Sequence, residues 1–168
     1  MPLSAETALL SLIDEHLSAG RPLTLAIDGC CAAGKTTLAL RLQQRYGCPV
    51  FHADDYFLQP HQRTPQRLSQ AGGNMDRERL LQEVLLPLSR GEDVVFRRFD
   101  CSAMALRPPV RVPYVPFQIV EGTYCMHPEL APYYTASVFL RISPAEQRRR
   151  IERRCPPEKA QQFFTRWI

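Results

Sequence analysis

Apolar positions recur along this chain in a strand-and-helix order. From Ser4 to Leu17, the residues Leu9, Leu10, Ile13 and Leu17 fall at helical spacing and Gly20 follows as a stop, which predicts a packing helix. Leu23 to Ile27 is a short apolar run of the kind a buried strand needs, and Thr36 to Tyr46 returns to helical spacing through Leu38, Leu42 and Tyr46. Val50 to Ala53 reads as a second strand running into Asp54 and Asp55. The polar stretch from Gln59 to Asn74, with two prolines and Gly72-Gly73, predicts a long loop, and loops of that length are usually functional. Arg77 to Arg90 is amphipathic through Leu80, Leu81, Val84, Leu85 and Leu88, with Pro87 expected to disturb its last turn and Gly91 to end it.

The second half continues the alternation. Val94 to Val115 holds short β-like pieces around Pro108-Pro109 and reads as a hairpin. Phe117 to Val120 and Ala136 to Ile142 predict a third and a fourth strand of the main sheet. Ser143-Pro144-Ala145-Glu146 predicts a capping box with proline at the first helical position, Pro156-Pro157 breaks that helix, and a final helix runs to the end of the chain. Strands separated by helices imply an α/β fold: a mostly parallel sheet with helices on both faces.

A length of 168 residues suits a single domain, here residues 1–168. With 45% hydrophobic and 23% charged residues, the composition excludes a disordered tail, a collagen-like repeat and a disulfide-stapled miniprotein. No apolar run reaches the roughly 18 to 20 residues of a spanning helix, and the N-terminal stretch carries Glu6, Asp14 and Glu15, so the expected setting is the cytoplasm, without membrane partners. The six cysteines form no C-x-x-C pair and are expected to be reduced, mostly small apolar residues.

Charge sharpens the picture. Six arginines and two glutamates between Arg141 and Arg154 account for the whole net charge of +4, so the rest of the chain balances. Such a focused cluster suits a compact anion such as a polyphosphate, and nucleic acid is not the expected partner. Only Lys35 and Lys159 are lysine among 21 basic side chains, so a lysine at a motif position stands out from the background composition.

Lys35 does stand in a motif. Gly29-Cys30-Cys31-Ala32-Ala33-Gly34-Lys35-Thr36 matches G-x-x-x-x-G-K-[ST] without a gap, between a predicted strand and a predicted helix. Backbone amides can wrap a phosphate only where side chains leave room, the helix N-terminus adds partial positive charge, Lys35 adds a full one, and the Thr36 hydroxyl can hold Mg²⁺. A glycine turn with a solvated lysine is the competing reading. Asp54 and Glu121 each follow a predicted strand, at the rim where ligands of open parallel sheets gather. One can complete an Mg²⁺ shell and the other can accept a hydroxyl proton; turn-capping acids are the bland alternative. The run Arg148-Arg149-Arg150 reads either as a solvated helix face or as a lid over a triphosphate.

Asp28-Gly29 to Thr37, Asp54-Asp55-Tyr56-Phe57, Gly72-Gly73-Asn74-Met75-Asp76, Phe99-Asp100, Val120-Glu121-Gly122 and the arginine-rich helix, in that order, resemble the uridine kinase branch of the P-loop kinases, which includes phosphoribulokinase and bacterial pantothenate kinase. The resemblance covers nearly the whole chain and implies a P-loop fold with a small hairpin insert and an Arg-rich lid. It implies an ATP- and Mg²⁺-dependent phosphotransferase acting on a small-molecule alcohol, foremost a nucleoside such as uridine or cytidine; pantothenate, a sugar phosphate or a nucleoside monophosphate, or nucleotide binding without transfer, are the alternatives.

Carried over residue by residue, Gly29 to Thr37, including Thr37 itself, would bind the nucleotide, and Asp54 would be the base and lie near Mg²⁺. Thr36 and Glu121 would share the metal. Asp76 would bind the ribose hydroxyls, and Phe57 and Phe99 would wall the acceptor pocket. Among the lid arginines, Arg149 is assigned to catalysis beside Lys35, and Arg148 to the acceptor. Met75 replaces the family's aromatic, Cys101-Ser102-Ala103-Met104 lacks its base-reading histidine, and the chain stops before the family's fifth strand, as a shortened form or a fragment would. Arg63 and Arg67 are the cations an acceptor already bearing a phosphate would need.

Overall fold

The computed structural model describes residues 5–167. The order is α1 (Ala5–Ser18), β1 (Leu23–Gly29), α2 (Lys35–Tyr46), β2 (Val50–His52), α3 (Pro65–Leu68), α4 (Arg77–Leu80), α5 (Leu86–Ser89), β3 (Val94–Phe96), β4 (Phe99–Asp100), β5 (Ala105–Leu106), β6 (Val110–Val112), β7 (Phe117–Glu121), β8 (Ala136–Leu140), α6 (Pro144–Arg154) and α7 (Pro157–Trp167). The expected start of the first helix at Ser4 and its last one's run to Ile168 lie outside the described residues.

The four strands of the main sheet stand in the order β2-β7-β1-β8, and every pairing is parallel. All residues of β1 and β7 are buried, as central strands covered on both sides should be. One face packs Leu25, Ile27, Phe117 and Ile119 against Leu9 and Ile13 of α1 and Ala39 and Leu42 of α2. The other packs Ala26, Phe51 and Val120 against Leu80, Val84, Leu85 and Leu88. The α/β architecture with helices on both faces is therefore as expected, and burial of each fully enclosed Leu or Ile contributes about 1.5–3 kcal/mol.

Three local differences have physical reasons. The helix expected over 77–90 is continuous only through a π-helical turn at Leu81–Leu85, so its distortion lies a turn ahead of Pro87 instead of after it. Proline cannot donate to the preceding turn, and widening that turn relieves the mismatch. The polar loop 59–74 contains a 3₁₀ turn at Pro60–Gln62 and the short helix α3, capped by the Thr64 hydroxyl, which accepts from the Arg67 amide. The capping box at α6 is half formed: Ser143 Oγ accepts from the Glu146 amide at 3.2 Å, but the Glu146 carboxylate turns to Arg149 and Arg150. The hairpin is present as β3 against β6, with β4 and β5 paired inside it.

Candidate active site

The turn from β1 into α2 places Gly29 to Thr36 beyond the carboxyl end of the central sheet. Gly29 is required there by contact as well as by conformation. Its φ is +144°, and a Cβ on it would lie 2.2 Å from the Leu140 carbonyl oxygen of β8. The Cys30 amide donates to that same carbonyl at 3.1 Å, which fixes the loop's root to the neighbouring strand. Ala32 holds φ +60°, a conformation that strains a residue with a Cβ and is kept where the surroundings enforce it.

Lys35 is 8% exposed, and its ammonium donates to Gly29 O (3.0 Å), Cys30 O (3.1 Å) and Thr123 Oγ1 (3.0 Å). Thr36 Oγ1 donates to Glu121 Oε1 at 3.0 Å. Glu121 is the last residue of β7, 5% exposed, and β7 lies between β1 and β2, so the acid is brought to the loop on one side and to β2 on the other. On that second side His52, its register partner, places Nδ1 2.6 Å from the same Oε1. The Glu121 hydrogen bond, opposed by burial, holds the His52 imidazole above its ordinary range.

Asp54 stands on the 3₁₀ turn Ala53–Asp55 that follows β2. Tyr56, fully buried and stacked on Phe96 with Arg79 over its ring at 4.4 Å, anchors that turn from below. Asp54 has exposed surface, yet protein crowds its carboxyl. Desolvation first, and then the Glu121 carboxylate, raise its pKa, while Lys35 and His52 pull it down. Among the described residues it carries no hydrogen bond or ion pair of its own. Its neighbour Asp55 pairs with Arg98 at 3.4 Å.

The donor set suits Mg²⁺. No group of three or more His, Cys, Asp or Glu side chains among the described residues forms an all-protein metal cage. Magnesium does not ask for one, since it keeps waters and phosphate oxygens and takes one or two carboxylates. Both hydrogen bonds to Glu121 fall on Oε1, which leaves Oε2 without one among the described residues, with the unpaired Asp54 carboxylate in the same electrostatic neighbourhood.

The arginine-rich helix crosses the outside of the loop. Gln147 Nε2 donates to Cys31 O at 3.1 Å, and Arg150 Nη1 donates to Ala32 O at 3.1 Å while its Nε donates to Glu146 Oε1 at 2.7 Å. It is thus Arg150 that rests on the phosphate loop. Arg149 pairs with Glu146 on the exposed face, and Arg148 lies over Phe164 at 4.3 Å with Glu152 at 3.8 Å. The reason is helix phase: Gln147 and Arg150 are three apart and share the flank that meets the loop, Arg148 falls on the other flank of the buried Ile151, and Arg149 lies opposite it.

The expected acceptor residues are divided. Asp76 is 2% exposed, caps α4 by accepting from the Arg79 amide, and takes Arg79 Nε on its other oxygen at 3.1 Å, so both oxygens have partners inside the protein. Phe57 bridges to Met75, and Phe99 is buried with Arg63 over its ring at 5.8 Å. Arg67 is consumed: it makes a two-point contact with Glu78 and also donates to Gly73 O and Met75 O. Arg63 Nε donates to Leu58 O at 2.9 Å and has no acidic partner among the described residues.

Three residues of the site receive no role from the sequence: His52, Thr123 and Asp28, of which Asp28 alone stands in a quoted motif. Asp28 accepts from the Gly29 and Tyr124 amides on one oxygen and from the Met126 amide on the other, tying the turn after β7 to the end of β1. An acid immediately ahead of the phosphate loop was the available signal for Asp28. For His52 and Thr123 only the strand order reveals the partner.

No family model and no curated protein matches the chain. Solved structures do. A possible uridine kinase from Bacillus stearothermophilus superposes with a TM-score of 0.62 at 21% identity, over 94% of this chain and 91% of that one. A "putative fructose transport system kinase" from Silicibacter sp. TM1040 superposes with a TM-score of 0.74 at 21% identity, over 95% of this chain and 88% of that one. A parallel sheet carrying the phosphate loop at its carboxyl end, overlaid on nearly the full length of both proteins, gives this chain the fold of the uridine kinase-like P-loop kinases.

Proposed function

We propose that the protein is a kinase that transfers the γ-phosphoryl group of ATP to a hydroxyl of a small metabolite, foremost a nucleoside such as uridine or cytidine. The observation that carries this reading is the pairing of a complete phosphate loop with an unpartnered Asp54 whose carboxyl is raised in pKa beside Glu121. A carboxylate with a raised proton affinity and a free lone pair is suited to take the proton of an attacking alcohol. Lys35 and the loop amides bind and orient the phosphates, and Thr36, Glu121 and Asp54 are the residues that would hold Mg²⁺. When bound, that ion supplies neutralising charge to the phosphate oxygens. Helix α6, resting on the loop through Gln147 and Arg150, supports water exclusion over the reacting group.

A second reading keeps the chemistry and changes the acceptor to a sugar or sugar phosphate. It is favoured by the Asp76–Arg79 pair, which occupies the carboxylate a ribose would need. The fructose transport system kinase among the structural neighbours supports it only by fold. Arg67 is spent on Glu78, so an acceptor phosphate would rely on Arg63.

The test is ADP release from Mg-ATP against nucleosides, nucleoside monophosphates, sugars, sugar phosphates and pantothenate, with Lys35→Ala and Asp54→Asn as controls. Stimulation by one class, abolished in both variants, is the expected result. Release that no compound raises above a water-only blank would overturn the kinase reading.

A further inference from the structure

Lys35 has no donor to spare. An ammonium carries three N–H groups, and the three acceptors around it, Gly29 O, Cys30 O and Thr123 Oγ1, lie at 3.0, 3.1 and 3.0 Å. A phosphate oxygen that receives a hydrogen bond from Lys35 must therefore replace one of them. Two belong to the loop itself. The third comes from a different part of the chain, the turn after β7.

That turn is built to hold its position. The Gly122 amide donates to Ile27 O at 3.1 Å, and the Tyr124 and Met126 amides donate to the two oxygens of Asp28 at 3.1 and 3.0 Å. Thr123 is thus clamped on both sides to the end of β1. Its own hydroxyl donates to Gly29 O at an oxygen–oxygen distance of 3.5 Å, which turns a lone pair toward the ammonium. A neutral hydroxyl is a weaker acceptor than a peptide carbonyl. It is also the acceptor whose loss leaves Lys35 still attached to the loop.

We propose that Thr123 is a positioning residue for Lys35: its hydroxyl stows the ammonium, and the phosphate that Lys35 grips takes the place of that hydroxyl. The displacement half of the proposal rests on the reading of the loop as a nucleotide site; the stowing half does not. The threonine therefore weakens nucleotide binding by offering the lysine a competing partner. This opposes what an ordinary structural residue would do.

Thr123→Val removes the hydroxyl and keeps the shape, Thr123→Ala is the second hydroxyl-free variant should the valine disturb folding, and Thr123→Ser restores the oxygen. Because Lys35 and Lys159 are the only lysines, acylation by an amine-reactive ester, followed by peptide mass spectrometry, reads Lys35 directly against Lys159 as reference. Lys35 should react several times faster in the hydroxyl-free variants and at the native rate in Thr123→Ser. ATP affinity, measured by calorimetry without an acceptor, should tighten about three- to tenfold in the hydroxyl-free variants, less than a charge-assisted bond's full worth because water takes over part of the role. Unchanged Lys35 acylation overturns the stowing, and unchanged or weaker ATP binding by the variants overturns the displacement. If the native protein itself binds no ATP, the proposed function and the displacement fall together, and acylation alone decides the stowing.

Discussion

Replacing Gly29 with alanine tests how the phosphate loop is seated on the sheet. Two contributions can be worked from the structure. A backbone at φ +144° is one that residues with a Cβ rarely adopt, costing about 1–3 kcal/mol. The new Cβ would also lie 2.2 Å from the Leu140 carbonyl oxygen and 2.7 Å from the Leu140 nitrogen. Both are main-chain atoms of a paired strand, so no side-chain rotation relieves the clash. Forced overpacking of this kind costs about 1–3 kcal/mol, and weakening the Cys30 N–H to Leu140 O hydrogen bond adds about 0.5–1.5. The expected total is about 2.5–7.5 kcal/mol, or roughly 5–30 °C in melting temperature for a chain of this size. Gly47→Ala is the matched control: φ is +66°, its amide caps α2 by donating to Gln43 O, and nothing lies within 4 Å of the added Cβ. It should cost only about 1–2 kcal/mol. The assay is urea unfolding followed by circular dichroism, read on both variants under one condition. A Gly29→Ala protein no less stable than Gly47→Ala would refute the reasoning that β8 confines the loop.

Asp54→Asn should lower phosphoryl transfer by about 10²–10⁴-fold while leaving ATP binding measurable, as removal of a general base does. The same variant should be more stable than the native protein at pH 7. Asp54's pKa is raised in the folded state, so stability present below the ordinary carboxylate range is lost as pH rises through the raised value. The difference between the two melting curves should therefore vanish in acid, and its persistence there would contradict the electrostatic account. Arg79→Ala leaves Asp76 buried without its partner and should cost about 3–5 kcal/mol in urea unfolding. Arg150→Ala should reduce kcat/KM for ATP more than Arg148→Ala or Arg149→Ala, because only Arg150 of the three touches the loop; equal effects would return the assignment to Arg149.

The contiguous parts of this protein were legible in its sequence. The glycine-lysine-threonine motif, the strand before it and the helix after it are set by local chemistry: room for a tight turn, then apolar residues four apart on α2. The acids at and just past strand ends, Glu121 and Asp54, were readable for the same reason. What could not be read is which distant groups meet. Only the strand order β2-β7-β1-β8 brings Glu121 to Thr36 and His52, and Thr123 to Lys35. Only packing decides that Asp76 and Arg67 satisfy Arg79 and Glu78, because a polar group that becomes buried must find a partner in the interior. Helix phase lies between these cases: once α6 buries Ile151, Arg150 faces the loop and Arg149 does not, and a run of three arginines says nothing of that until the helix has a core to lie on.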